Sequence, residues 1–369
     1  MTAPPANSRP LPAAPLHAGE ARDVVVAKTL KMLIGGASLV LLIYGVKAAS
    51  GIVGPLVLAL ALTIVFHPLR DRLQRHMPSW LASTLLLLGV YAVLLALGLA
   101  LLVSAARLAD LLPTYKSQLN DQVSGLTDWL KSIGIGQAQL DQMKEQADAG
   151  RLAGFAVSLL NSVLGVLSNL FFIVTLLLFM AFDGAQTKPL MTWARAHRPD
   201  ETEAMASFAR GTRTYLGVSA VFGLIVAVID TVALWAMGVP GAFVWGVLAF
   251  VTNFIPNIGF VIGVVPPAIV GLLEGGPGLM LAVIVVYCGV NFVIQSIIQP
   301  RYVGNAVGLS TTLTFLSLVF WTWILGPLGA LLAVPMSLFF KALLIEANPG
   351  ARWLDPLVSG HPEQPAEQN

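Results

Sequence analysis

The chain has 369 residues, of which 56% are hydrophobic and 11% charged, and its mean hydropathy is +0.80. Soluble domains carry about 25% charged residues, so this composition excludes an ordinary water-soluble protein and indicates that lipid covers much of the surface. The net charge of +2 is too small to predict a nucleic-acid partner.

The sequence predicts no metal, no cofactor and no enzyme activity. Its one cysteine, Cys288, lies in an apolar run, which excludes an internal disulfide and a thiolate metal site. The five histidines are scattered without His-Glu-x-x-His spacing. A serine nucleophile needs a base within reach, and His67, the histidine nearest to a predicted span, stands beside Pro68 at an interface.

The N-terminal part predicts a tail and three spans. Residues 1–30 are rich in proline and alanine, lack the apolar core of a signal peptide and predict a disordered cytoplasmic tail. Residues 31–106 hold three apolar segments, at about 32–48, 52–67 and 80–106, which predict membrane spans.

Residues 107–151 predict an amphipathic helix outside the membrane. Leucines recur there at helical spacing, and acidic residues nearly balance basic ones. The basic residues concentrate instead in the loops after the second and fourth spans, which predicts that those loops are cytoplasmic. Both termini then lie in the cytoplasm, and residues 356–369 predict a second disordered tail.

Residues 152–346 predict the transport region, because two apolar stretches in it are interrupted. A fourth span at 152–182 and a fifth at 211–238 precede the first stretch, residues 242–273, which is too long for one span and too short for two. Pro256 and Gly259 stand at its centre and Pro266 in its later arm. Two half-length helices that meet at a buried tip are the expected structure.

The pattern repeats after a further span at about 279–299. The second stretch, residues 311–345, is interrupted at Gly326, Pro327 and Gly329, with Pro335 in its later arm. Two oppositely oriented, interrupted hairpins are typical of transporters, because irregular backbone survives at membrane depth only where it is buried or lines a cavity. Two ordinary hairpins of short spans in an eight-span bundle are the alternative.

The fold class is therefore an all-α polytopic membrane protein with about six full spans, two re-entrant hairpins and an external amphipathic helix. The C-terminal half contains the motifs Asn253-Phe-Ile-Pro-Asn-Ile-Gly259 with Pro266, Gln299-Pro-Arg-Tyr-Val-Gly304, Gly308-Leu-Ser310, and Gly326-Pro-Leu-Gly329 with Ala333-Val-Pro335. In their order and spacing these motifs resemble the AI-2E transporter family of autoinducer-2 exporters and related permeases. The resemblance implies a homo-oligomeric, multi-pass exporter in a bacterial inner membrane, and members are linked both to export of small signalling molecules and to sodium or proton antiport.

Six polar residues are candidates for the substrate or ion pathway. Asp230 is the only acid in the fifth span, roughly 12 Å deep, and a buried carboxylate there predicts an ion or substrate site, a structural hydrogen-bond hub, or an innocuous position near the interface. Asn291, Gln295 and Gln299 form an i, i+4, i+8 stripe that could replace a solute's hydration or join helices. Asn253 and Asn257 flank the first tip.

The function predicted from the sequence is a secondary transporter or exporter of a small polar solute of the autoinducer-2 kind, with or without ion coupling. A sodium or proton antiporter is the alternative within the same family. A membrane scaffold that uses the external helix to bind partners is a third hypothesis.

Overall fold

The computed structural model describes residues 18–114, 168–183, 187–256, 258–299 and 308–360, together with five isolated positions between 154 and 165. Every regular element in this described part is a helix, and it contains no strand. The prediction of an all-α chain is confirmed. The predicted amphipathic segment lies outside the described residues from position 115 onward.

The chain divides into two compact units, residues 1–49 and 50–369. The first contains α1, Ala18–Ala48, whose apolar part is Leu33–Ala48. Residues 18–30 are therefore helical, although they were predicted to belong to the disordered tail. The prolines of the N-terminus end at Pro15, so nothing in the sequence beyond that residue interrupts a helix that continues into the apolar segment.

The second unit begins with three apolar helices that pack together. They are α2, Ser50–Leu73, α3, Ser79–Thr114, and α4, Leu170–Asp183. Their shared core contains the buried side chains of Ala59, Val90, Ile173 and Leu177. The short helix α5, Thr187–His197, follows α4.

The first interrupted stretch follows α6, Pro199–Ala236, a helix of 38 residues. It consists of α7, Ala242–Thr252, and α8, Gly259–Asn291, with a turn between them. The predicted break at Pro256 is thus present. A second break lies within α8 at Gly276, whose φ of 71° is unfavourable for other residues, and it separates the hairpin from the span that follows.

The second interrupted stretch consists of α9, Thr311–Leu325, and α10, Pro327–Lys341, which are joined at Gly326. The φ of +65° at Gly326 reverses the chain, and Pro327 then occupies the first turn of α10, where its missing N–H removes no hydrogen bond. The hydroxyl of Ser310 caps α9 by accepting a hydrogen bond from the Leu313 N–H.

The C-terminus is ordered further than predicted. A π-helical turn, Ala342–Glu346, and a 3-10 turn, Pro349–Leu354, lead into α11, Asp355–Ser359. The backbone N–H of Ser310 donates to the Val358 carbonyl at 2.8 Å, so residues 356–360 are not a disordered tail.

Five helical segments of the described part are long and apolar enough to cross a membrane, judged by length and composition: Ser50–Leu73, Ser79–Ala100, Pro199–Ala236, Gly259–Gln295 and Pro327–Glu346. Shorter apolar helices, α7 and α9 among them, accompany these segments. This arrangement agrees with a polytopic membrane protein. The predicted fourth span is described continuously only from residue 168.

Candidate functional site

One face of α6 lies along a narrow cleft beside the first hairpin. Ser219, Gly223, Val226 and Asp230 recur at spacings of three or four residues and therefore lie on one side of the helix. All four are buried. A buried helix face that carries a serine and an aspartate needs polar neighbours, because an unpaired polar group away from water is costly.

The hairpin of α7 and α8 packs closely against this face of α6. A Cβ atom at Gly246 of α7 would collide with the Thr231 hydroxyl and the Ala227 carbonyl of α6. A Cβ atom at Gly259 would collide with the Thr252 carbonyl across the hairpin turn. Glycine is required at position 259 because the backbone approaches closely at the tip.

A chain of side-chain amides crosses the cleft. The Asn253 Nδ2 donates to the Ser219 carbonyl at 2.9 Å, and the Gln295 Nε2 donates to the Asn253 Oδ1 at 3.0 Å. The same Gln295 nitrogen donates to the Asn291 Oδ1 at 2.7 Å, and Asn291 donates to the Tyr287 carbonyl at 2.9 Å. These bonds connect α6, the hairpin tip and the end of α8.

A tyrosine side chain of α6 binds the tip of the first hairpin. The Tyr215 hydroxyl of α6 donates to the Phe254 carbonyl at 2.9 Å, which satisfies a backbone acceptor that the interrupted helix leaves free. The cleft next to it is too narrow to contain a water-sized sphere. Its lining is mixed, with apolar and amide groups from Val226, Ala249, Thr252, Asn253, Phe260, Gly263, Tyr287, Asn291 and Gln295.

Asp230 lies one helical turn beyond this lining, and it is fully buried. Among the residues that the structure describes, neither of its carboxylate oxygens has a hydrogen-bond partner. The phenol oxygen of Tyr287, a residue that is 1% exposed, is equally without a partner there and lies within electrostatic range of Asp230. Buried polar groups without a partner are costly, so these two groups mark this end of the cleft as a candidate binding position.

The structure thus brings some of the predicted residues together and separates others. Asn253, Asn291 and Gln295 share the amide chain, and Pro256 and Gly259 form the tip beside it. Gln299 ends the π-helical turn Phe292–Ile298 and does not line the cleft. Asn257 lies outside the described residues.

The second hairpin does not contribute to this cleft. Ser337 of α10 donates to the Ser317 hydroxyl of α9 at 2.7 Å and accepts a bond from the Trp321 indole at 3.1 Å, so polar side chains join the two arms. Leu328, next to the joint, packs against Gly54 of α2. A Cβ atom at Gly329 would collide with the Trp321 carbonyl of α9, so the predicted break at Gly326, Pro327 and Gly329 is a close approach of the two arms. Pro266 and Pro335 are buried within helices of the two hairpins.

Four residues of the site are not among the candidates predicted from the sequence: Tyr215, Ser219, Thr252 and Tyr287. Tyr287 was recognisable from the sequence, because it stands four residues before Asn291 and extends the stripe of polar residues at 291, 295 and 299 by one helical turn. The other three lie in apolar helices without any local pattern, and only the helix packing brings them to the cleft.

Comparison with known proteins decides the family. The family model described as AI-2E family transporter matches residues 37–348. The chain belongs to the AI-2E transporter family. The AI-2 transport protein TqsA of Escherichia coli is 30% identical over 347 residues, which are 92% of this chain and 98% of that protein. A Haemophilus influenzae relative is 32% identical over 325 residues, or 86% of this chain and 93% of its own length.

As a member of the AI-2E transporter family, this chain is a multi-pass membrane transport protein and not an enzyme. The family match thus confirms two predictions from the sequence: a membrane transport function and the absence of enzyme activity. The family motif around residues 253–259 coincides with the break between α7 and α8, and the motif at residues 326–329 with the joint between α9 and α10.

Proposed function

We propose that this protein is a secondary transporter that exports a small polar solute of the autoinducer-2 kind across the bacterial inner membrane. Family membership and the name of TqsA support this substrate class. The observation that carries the proposal is the amide chain through Asn253, Gln295 and Asn291 at the break in the first hairpin.

Amide side chains are suited to a hydroxylated solute, since each offers both donors and an acceptor without a net charge. A solute that leaves water must regain its hydrogen bonds inside the protein, and a chain of amides can exchange its internal bonds for bonds to the solute. The narrow cleft then corresponds to a closed state, and transport requires α6 and the hairpin to separate.

The two hairpins are the proposed moving parts, and we propose that both are re-entrant. With a rise of 1.5 Å per residue, the 11 residues of α7 measure about 16 Å and the 15 residues of α9 about 22 Å, both short of a hydrocarbon core of about 30 Å. Alternating access would follow from movement of one hairpin unit against the other.

Three further features belong to this proposal. The termini lie in the cytoplasm, because arginines concentrate between the apolar segments at residues 70–75 and 195–210. The protein functions as a homo-oligomer. Residues 31–106 hold the first three spans, 107–151 an extracytoplasmic segment and 152–346 the transport region.

The experiment is a flux assay in proteoliposomes. Gln295→Ala removes the amide that joins Asn253 to Asn291, and Asp230→Asn removes the buried carboxylate. We expect each variant to lose most of its solute flux while it retains its thermal stability in detergent. The matched control is Glu203→Gln, which removes a carboxylate from the same helix at an exposed position. Wild-type flux in both Gln295→Ala and Asp230→Asn would refute the proposed site.

A second candidate function, sodium or proton antiport, is favoured by the buried carboxylate of Asp230, which has no hydrogen-bond partner among the residues that the structure describes. A buried carboxylate that takes up either a proton or a cation could couple the two gradients. Liposomes with an imposed sodium gradient and an internal pH dye test this directly. Sodium-driven proton movement that Asp230→Asn abolishes would support antiport, and its absence in the wild-type protein would exclude it.

A further inference from the structure

The short helix α5 exposes apolar and basic side chains together. Leu190 is 60% exposed and Trp193 is 63% exposed, although the helix is only 11 residues long. Arg195 is also exposed and stands two residues after Trp193. Such a composition is typical of a helix that lies in the interface between headgroups and acyl chains.

The position of α5 in the chain fits an interfacial helix. Three residues separate it from the preceding apolar helix α4, Leu170–Asp183, and one residue separates it from α6. The ring of Trp193 stacks on His197 with 4.4 Å between the ring centroids. An exposed aromatic pair that combines an apolar body with polar nitrogens is suited to the headgroup region.

A groove of about 390 Å³ lies between α5 and the start of α6. Its lining combines one guanidinium with small and apolar groups: Met191, Thr192, Arg195, Ala196, Thr202 and Ala206. The neighbouring arginines are neutralised, because Arg198 pairs with Glu201 at 3.0 Å and Arg210 with Glu203 at 2.7 Å. No described residue lies within ion-pair distance of Arg195, although its charge also acts on Glu203, the partner of Arg210.

We propose that this groove binds the headgroup of an anionic phospholipid. The Arg195 guanidinium donates to the phosphate, and an acyl chain lies along Met191, Ala196 and Ala206. A guanidinium matches phosphate oxygens through two parallel hydrogen bonds, and the apolar lining matches the hydrocarbon. The exposed face with Leu190 and Trp193 rests in the surrounding bilayer. This site is separate from the cleft at Asn253 and does not depend on what the cleft transports.

Lipid retention on the purified protein tests the proposal. The full-length chain is exchanged into detergent with equal amounts of phosphatidylglycerol and phosphatidylcholine, and the bound lipids are counted by native mass spectrometry. We expect the wild-type protein to retain phosphatidylglycerol preferentially. Arg195→Gln should reduce that retention about tenfold, since a hydrogen bond between charged groups is lost.

Arg198→Gln is the matched control, because it removes the same charge three residues away from a side chain that already has a partner. Its retention of phosphatidylglycerol should stay close to that of the wild type. Equal losses in the two variants, or equal retention of both lipids by the wild type, would overturn the proposal. A change of oligomer mass in Arg195→Gln with unchanged lipid retention would show instead that a second copy covers the groove.

A second measurement does not depend on retention. Phosphatidylglycerol with brominated acyl chains quenches tryptophan fluorescence at short range, and the difference between the wild type and Trp193→Phe isolates Trp193 from the other tryptophans. We expect the quenching of Trp193 to be stronger than with brominated phosphatidylcholine and to weaken in Arg195→Gln. Identical quenching by both lipids would contradict a headgroup site.

Discussion

Asn253 connects three parts of the cleft through a single side chain. Its amide nitrogen donates to the Ser219 carbonyl on α6, and its amide oxygen accepts from Gln295 in the π-helical turn after α8. The side chain also packs against Gly223, where the absence of a Cβ atom leaves the space that the amide occupies. Small shifts of Asn253 should therefore change the geometry of the whole amide chain.

Gly223→Ala tests this dependence. A Cβ atom at residue 223 would lie 3.0 Å from the Asn253 Nδ2 and 3.2 Å from its Cβ, so the amide must move. We expect solute flux to fall several-fold while stability changes by less than about 1 kcal/mol, because alanine also favours the helix. Gly217→Ala on the same helix is the control, since a Cβ atom there meets nothing within 4 Å. Equal flux in the two variants would contradict a positional role for Asn253.

At the scale of the elements, the C-terminal segment connects the second hairpin to the start of α6. Lys341 at the end of α10 lies 2.8 Å from the Asp355 Oδ1 and 3.2 Å from the Glu346 Oε1, and its side chain is only 9% exposed. Arg352 pairs with Asp200 in the first turn of α6. The hairpin, the C-terminal turns and α6 thus meet at one cluster of charges.

Lys341→Met should destabilise this junction. The substitution keeps most of the unbranched side chain but leaves the carboxylates of Glu346 and Asp355 without their shared cation. We expect a loss of about 1–3 kcal/mol, because a partly buried pair is broken on one side only. Thermal unfolding in detergent measures it. Glu203→Gln, which breaks a pair that is exposed to solvent, should lower stability much less. An equal effect of both substitutions would mean that the junction contributes nothing beyond a surface pair.

At the scale of the whole molecule, the proposed mechanism requires two hairpins that enter the membrane from opposite sides. The first follows α6 directly, and the second is preceded by the span that begins after Gly276. Their tips at residues 253–258 and 326 should then lie within the membrane instead of at its far surface.

Cysteine labelling in cells tests this topology. Cys288 is first replaced by serine, and single cysteines are then placed at the exposed positions Pro240 and Pro349 and at the second tip as Pro327→Cys. We expect a bulky impermeant maleimide added outside to label position 240 and not 349. Position 327 should react only with small reagents. Labelling of position 327 by the bulky reagent from outside would indicate a fully spanning hairpin.

The candidate site was predictable only in part. Asn291 and Gln295 were recognisable because a helical stripe of amides in an apolar segment is a local pattern. Their bond to Asn253 joins residues 42 positions apart, and the approach of Tyr287 to Asp230 joins residues on different helices. No local pattern encodes such contacts, and the π-helical turn that removes Gln299 from the cleft has no clear signal in the sequence.

The sequence by itself determined that this chain is helical, where it is apolar enough to span a membrane, and where two of its helices break. Lipid offers no hydrogen bonds to the backbone, so apolar segments must form helices, and Pro256, Gly326 and Pro327 limit where they continue. Only the tertiary structure decided which polar groups meet. It placed Asn253 against Gln295, left Asp230 without a partner among the described residues, and folded the C-terminal turns onto Lys341, because these contacts depend on how closely distant helices approach.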